Sequence, residues 1–209
     1  FLVLLSALAS APTWGVRPQT LSLLLTTIFF FILDKFQENR NNKILIPLPL
    51  LSLLWVNIHA GYIIGLVIIC IYIFVELYES IKSYQDEKTR SFRSGKTLLL
   101  LLVACLVATL INPNGLKIIQ YPFTTFFSPS MMQFIQEWNS PDFHKIEWIP
   151  LAVLLLSFIT LPVTFRKPIK PARLLLVVLF TFAALRSMRF TSMLSIVAAP
   201  YLADQMDGL

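Results

Sequence analysis

Seven side chains stand out as able to act on a ligand: Arg17, Asn57, His59, Glu137, Asp142, Arg186 and Arg189. Arg186 and Arg189 are spaced i, i+3. On one helix that spacing puts both guanidinium groups on one face, a clamp for phosphate oxygens. Arg17 joins them as a third cation for an anionic ligand. Asn57 and His59 have the groups to orient a polar head or an acceptor hydroxyl. Glu137, Asp142 and His59 are the candidates for acid–base work. His144 lies close to Asp142, but no pair has the spacing of a zinc site, so the sequence indicates neither a metal nor a cofactor, although carboxylates would accept a divalent cation. Each residue also has an ordinary reading. His59 would be a solvated turn residue beside an N-capping Asn, the arginines would snorkel to headgroups, and the carboxylates would sit in a loop at little cost.

The elements that must position these residues are membrane spans. Of 209 residues, 56% are hydrophobic and 13% charged, and the mean hydropathy is +0.74. Soluble domains carry about 25% charged residues, so the composition excludes a soluble α/β protein and implies an all-α, polytopic bundle in the lipid bilayer. The net charge of +6 is not a nucleic-acid signature, because the Lys and Arg residues lie in short loops between apolar runs. The opening Phe1-Leu2-Val3-Leu4-Leu5 lacks Met and a basic n-region. It reads as the middle of a span, which makes residues 1–209 one transmembrane domain from a longer chain whose N-terminal part is missing. Cys70 and Cys105 sit inside apolar runs as small fillers, with no disulfide expected.

The segment 55–62, Trp-Val-Asn-Ile-His-Ala-Gly-Tyr, divides two uncharged runs, 44–54 and 63–75. One helix over 44–75 would be about 48 Å long against a bilayer core of about 30 Å, so two spans with a turn at 55–62 are expected. Trp55 and Tyr62 would then flank the turn at a membrane surface. The other spans are 1–11, 21–33, 97–111, 148–165 and 174–203, the last divided at Arg186-Ser187-Met188-Arg189. These are eight apolar stretches, the first partial, and a bundle of about seven spans is expected. Pro47 and Pro49 fall in the first turns of their helix, and Asn112-Pro113-Asn114-Gly115 is a turn. Ser128-Pro129 has the form of a helix start, and Met131, Phe134, Ile135 and Trp138 then recur on one face, as in an amphipathic helix lying along the membrane from 129 to 138. Residues 34–43, 76–96 and 166–173 are charged loops. Ser94-Gly95-Lys96-Thr97 echoes a phosphate-binding loop only by chance, since the earlier glycine such a loop requires is Arg90.

Alternating the spans places the loops 34–43, 76–96 and 166–173 on one side, with 12 of the 17 Lys and Arg residues, which the positive-inside rule makes cytoplasmic. Trp14/Arg17, Asn57/His59, Asn112/Asn114, Glu137/Asp142/His144 and Arg186/Arg189 then fall outside.

Arg17-Pro18-Gln19, the 55–62 segment, 112–115, 137–144 and Arg186-Ser187-Met188-Arg189-Phe190 occur in an order that resembles a family of bacterial multi-pass membrane proteins similar to GT-C glycosyltransferases. The resemblance covers nearly the whole chain. It departs at Ala60-Gly61-Tyr62, where relatives often carry Gly-Gly-Phe, and the acidic residue expected to act in such enzymes belongs to a first outer loop outside this sequence. The resemblance implies a bacterial inner-membrane transferase that takes a sugar from a polyprenyl-phosphate carrier on the extracytoplasmic face. Arg186, Arg189 and Arg17 would hold the phosphate, and Asn57 and His59 the donor head. A transporter or flippase for a lipid-linked or polar solute, and a scaffold subunit without chemistry, are the alternatives. Span interiors that read as nearly free of charge, and the lack of an internal repeat, weigh against transport.

Overall fold

The computed structural model describes residues 1–15, 17–82, 85–126 and 128–206, and the side chains of 85–88, Phe126 and Met132 also lie outside the description. Val16 in the expected turn 12–18, the centre of the charged loop (83–84, with the Lys88 side chain) and the last three residues therefore fall outside it. Among the described residues all regular structure is helical, and the chain divides into two compact units: Arg17–Phe127, the central unit, and Phe1–Val16 with Ser128–Leu209, the split unit.

In the central unit α2 (Pro18–Asn39), α3 (Pro47–Ile58), α4 (Tyr62–Lys82) and α5 (Gln85–Thr109) pack together, followed by α6 (Lys117–Phe126). Proline opens α2 and α3, where its missing N–H is no loss. α2 ends at Arg40, which takes the left-handed conformation (φ 55°) and donates its N–H to the Phe36 carbonyl at 2.7 Å. The expected turn at 112–115 forms: Asn112 Oδ1 accepts from Asn114 N–H at 2.7 Å, and Gly115 supplies the positive φ (52°) that closes it. The core holds Phe29, Leu33, Phe36, Leu48, Ile68 and Tyr72, with Phe29 edge-on to Trp55 at 5.4 Å between ring centroids.

In the split unit α1 (Leu2–Ser10) continues through a single 3-10 turn (Ala11–Thr13). The short α7 (Pro129–Phe134) is followed by α8 (Ile149–Phe165), α9 (Pro171–Arg186) and α10 (Thr191–Met206). α10 packs on α1, α8 and α9 around Leu154, Leu176, Leu194 and Val197. Thr13 and Ser192 hydroxyls meet at 2.8 Å, and Arg173 pairs with Asp204 across α9 and α10.

Among the described residues four helices are long and apolar enough to cross a membrane: Pro18–Asn39, Tyr62–Lys82, Thr89–Thr109 and Ile146–Phe165. Their outer faces leave large apolar side chains exposed, among them Phe31, Phe74, Leu100 and Leu156, as a lipid-facing bundle requires. The expectation of about seven spans is met only in part, because α3, α9 and α10 have 12, 16 and 16 residues. At 1.5 Å per residue these are about 18 to 24 Å long.

Several expectations change. The segments 34–39, 76–82 and 85–96 are helix, not loop. The charged residues of the first two continue α2 and α4 past their apolar stretches, so Asp34 and Glu76 are buried within candidate spans. Trp55 and Tyr62 are core residues, not surface anchors: Trp55 is 0% exposed, and the Tyr62 hydroxyl donates to the Ile118 carbonyl at 2.9 Å. The expected amphipathic helix 129–138 stops at Phe134. Ile135 turns extended, and a 3-10 turn, Gln136–Trp138, follows. What forms of it is the short α7 and this 3-10 turn.

Candidate functional site

Each unit carries part of the residue set. Arg17, Asn57, His59, Asn112 and Asn114 belong to the central unit. Trp14, Glu137, Asp142, His144, Arg186 and Arg189 belong to the split unit.

In the central unit the turn after α3 is built around Ser22. Trp55 Nε1–H donates to Ser22 Oγ at 2.8 Å, and Ser22 Oγ lies 2.8 Å from His59 Nδ1. Gly61 N–H also points at His59 Nδ1, at 3.0 Å. A backbone amide can only donate, so Nδ1 is the acceptor, the Ser22 proton points to it, and the ring proton is assigned to Nε2. The imidazole is thus held in one tautomer by a relay running Trp55 to Ser22 to His59, rather than solvated in a turn. Gly61 leaves room for the relay: a Cβ there would stand 2.6 Å from Ser22 Oγ and 2.9 Å from His59 Nδ1. Asn57 lies in the last turn of α3 and caps no helix start. Its amide donates to the Leu53 carbonyl at 2.8 Å and the Ile111 carbonyl at 3.0 Å, tying the ends of α3 and α5 together. Arg17 is exposed, immediately before α2 and five residues from Ser22.

In the split unit the two polar segments meet. Ser187 Oγ–H donates to the Glu137 carbonyl and Met188 N–H to the Asn139 carbonyl, both at 2.9 Å. Above these bonds the Arg189 guanidinium lies over the Trp138 ring, 4.8 Å from its centroid, with Nε 4.0 Å from Glu137 Oε2. Arg186 and Arg189 do not share a helix face as expected. α9 ends at Arg186, Ser187 is extended (φ −151°), and Arg189 belongs to a separate 3-10 turn, Met188–Phe190. The Ser187 hydroxyl and the Met188 N–H, bonded to the carbonyls of Glu137 and Asn139, hold the chain in this break. Arg186 is exposed at the end of α9, while Arg189 is partly buried. Asp142 is exposed, and its Oδ1 accepts from His144 N–H at 3.1 Å in a side-chain-closed turn.

The arrangement can present guanidinium groups to an anion beside an aromatic ring and a carboxylate. Among the described residues no three His, Cys, Asp or Glu side chains are grouped to hold a metal ion. Ser22 was missed by sequence reasoning. A lone serine in the apolar run 21–33 reads as filler, and its only signal was that a polar atom inside a span needs a partner. No protein-family model, no curated protein and no solved structure matches this chain.

Proposed function

We propose that the chain is part of an extracytoplasmic transferase that moves a sugar from a lipid-phosphate carrier, with Arg186 and Arg189 holding the phosphate. The observation that carries this reading is the Arg189–Trp138–Glu137 cluster beside the exposed Arg186. Trp138 and Glu137 fix one guanidinium in place, so an incoming phosphate meets a cation already oriented. Glu137 is the carboxylate that faces Arg189, at 4.0 Å. On this reading α3, α9 and α10 complete about seven passes, and the charge-rich ends of α2, α4 and α5 face the cytoplasm.

The test is purification of the full-length protein from membranes, followed by mass spectrometry of the co-purifying lipids and donor-binding assays. Polyprenyl-phosphate lipids are expected with the wild type, and weaker retention with Arg186→Ala and Arg189→Ala. Normal insertion with unchanged donor binding in both variants overturns the assignment.

One observation favours transport as a second reading: the Glu76 carboxylate is fully buried within a candidate span. It is paired with Arg40, however, which offsets its charge.

A further inference from the structure

At the end of the central unit remote from His59, α2 runs out and α5 begins around a cavity of about 520 Å³. This volume lies within the range of small-ligand sites, about 300–1,000 Å³. Its wall includes Arg40, Asn42, Arg90, Arg93, Ser94 and Thr97, and none of the described residues that line it is acidic. Arg90, Arg93 and Thr97 recur every three to four residues on α5 and so project from one face. Arg40, just past the end of α2, also lines it. The left-handed turn that ends α2 aims its side chain at α4, where the buried Glu76 carboxylate grips it and Glu79 Oε2 stands 4.0 Å away. The two acids on α4 compensate Arg40 from behind. Arg90 and Arg93 are exposed and carry no carboxylate partner among the described residues. Three guanidinium groups around one cavity favour an anion there.

We propose that this cavity binds a phosphate-bearing anion, engaged by the guanidinium forks of Arg90 and Arg93 against the fixed Arg40. Guanidinium donors match phosphate oxygens two at a time, and Asn42 adds a neutral amide. The cavity lies where three apolar helices reach their charged ends, the level at which lipid headgroups lie, so the phosphate has two sources: an anionic lipid or a soluble phosphate compound. The proposal shares no residue with the transferase reading and stands or falls separately.

The experiment uses the full chain in nanodiscs. In one arm phosphatidic acid is titrated into zwitterionic lipid. In the other, inorganic phosphate and pyrophosphate are added to discs without anionic lipid. Saturable binding in at least one arm is expected. Binding of phosphatidic acid alone identifies a headgroup, and binding of pyrophosphate without anionic lipid identifies a soluble ligand. R90Q/R93Q is expected to weaken binding by roughly tenfold per arginine with an unchanged melting temperature, since both side chains are exposed. R90K/R93K keeps the charge and loses the fork, so an intermediate loss is expected even should the first variant fold poorly. R166Q/K167Q, in a basic segment of the other unit, leaves binding unchanged. Absence of saturable binding in both arms, wild-type affinity in R90Q/R93Q and R90K/R93K, or an equal loss in R166Q/K167Q overturns the proposal.

Discussion

Ser22 Oγ and His59 Nδ1, 37 residues apart, lie 2.8 Å from each other and share a proton position that the Trp55 indole fixes from the other side. The bond joins the start of α2 to the turn between α3 and α4. Ser22→Ala leaves the buried Trp55 N–H and the acceptor nitrogen of His59 without this partner. A loss of about 1–3 kcal/mol is expected, read as a lower midpoint in thermal unfolding of the detergent-solubilised protein. In a double-mutant cycle with His59→Ala the two losses should fall short of additive by about 1 kcal/mol. Full additivity would show that the two side chains act independently.

Gly61 answers to the same pair. A methyl group at this position would sit 2.6 Å from Ser22 Oγ, so Gly61→Ala must displace the hydroxyl or the turn. The expected cost is about 1–3 kcal/mol, as for overpacking in a filled core. Because the obstacle is chiefly the Ser22 side chain, Ser22→Gly in the Gly61→Ala background should add less destabilisation than it does alone. A melting-temperature series of the four proteins checks this.

Local signals made some element boundaries readable: Pro47 opens its helix, Asn112 to Gly115 forms the turn, and residues 186–189 break the last apolar run where expected, whereas α2 and α4 run on through charged residues that read as loop. The pairings were not readable, because topology sets them. Glu76 follows Val75 and precedes a charged stretch, which makes it look like the first loop residue. Its burial follows from Arg40, 36 positions earlier, which a left-handed turn carries to it. The Arg186/Arg189 spacing gave a misleading clue for the same reason: helical spacing places two side chains together only while the helix continues, and Ser187 ends it. His59 and Asn57 were legible as unusual residues, but their partners, Ser22 and the Ile111 carbonyl, lie on other helices.

The Arg40–Glu76 pair predicts an asymmetric response. Arg40→Met leaves a fully buried carboxylate without its main cation, at an expected cost of about 2–4 kcal/mol, toward the lower end because Arg40 is itself partly solvated. Arg40→Met/Glu76→Met removes both charges and should recover most of that loss. Unfolding midpoints of the two variants decide between this and a pair whose members contribute independently.

Trp138 holds Arg189 by its ring face, and the neighbouring backbone bonds hold the two polar segments together. Trp138→Leu keeps an apolar side chain but removes the π-face over which the guanidinium lies. A cation–π contact at a partly exposed site contributes about 0.5–2 kcal/mol, too little to unfold the unit but enough to loosen a short irregular segment. Faster amide exchange is therefore expected at Met188 and its neighbours, whose N–H bonds the Asn139 carbonyl, while α8 and α10 keep wild-type protection. Trp138→Phe retains a weaker ring face and should fall between the two. Equal exchange in the Leu and Phe variants would mean that ring volume, and not its charge distribution, positions Arg189.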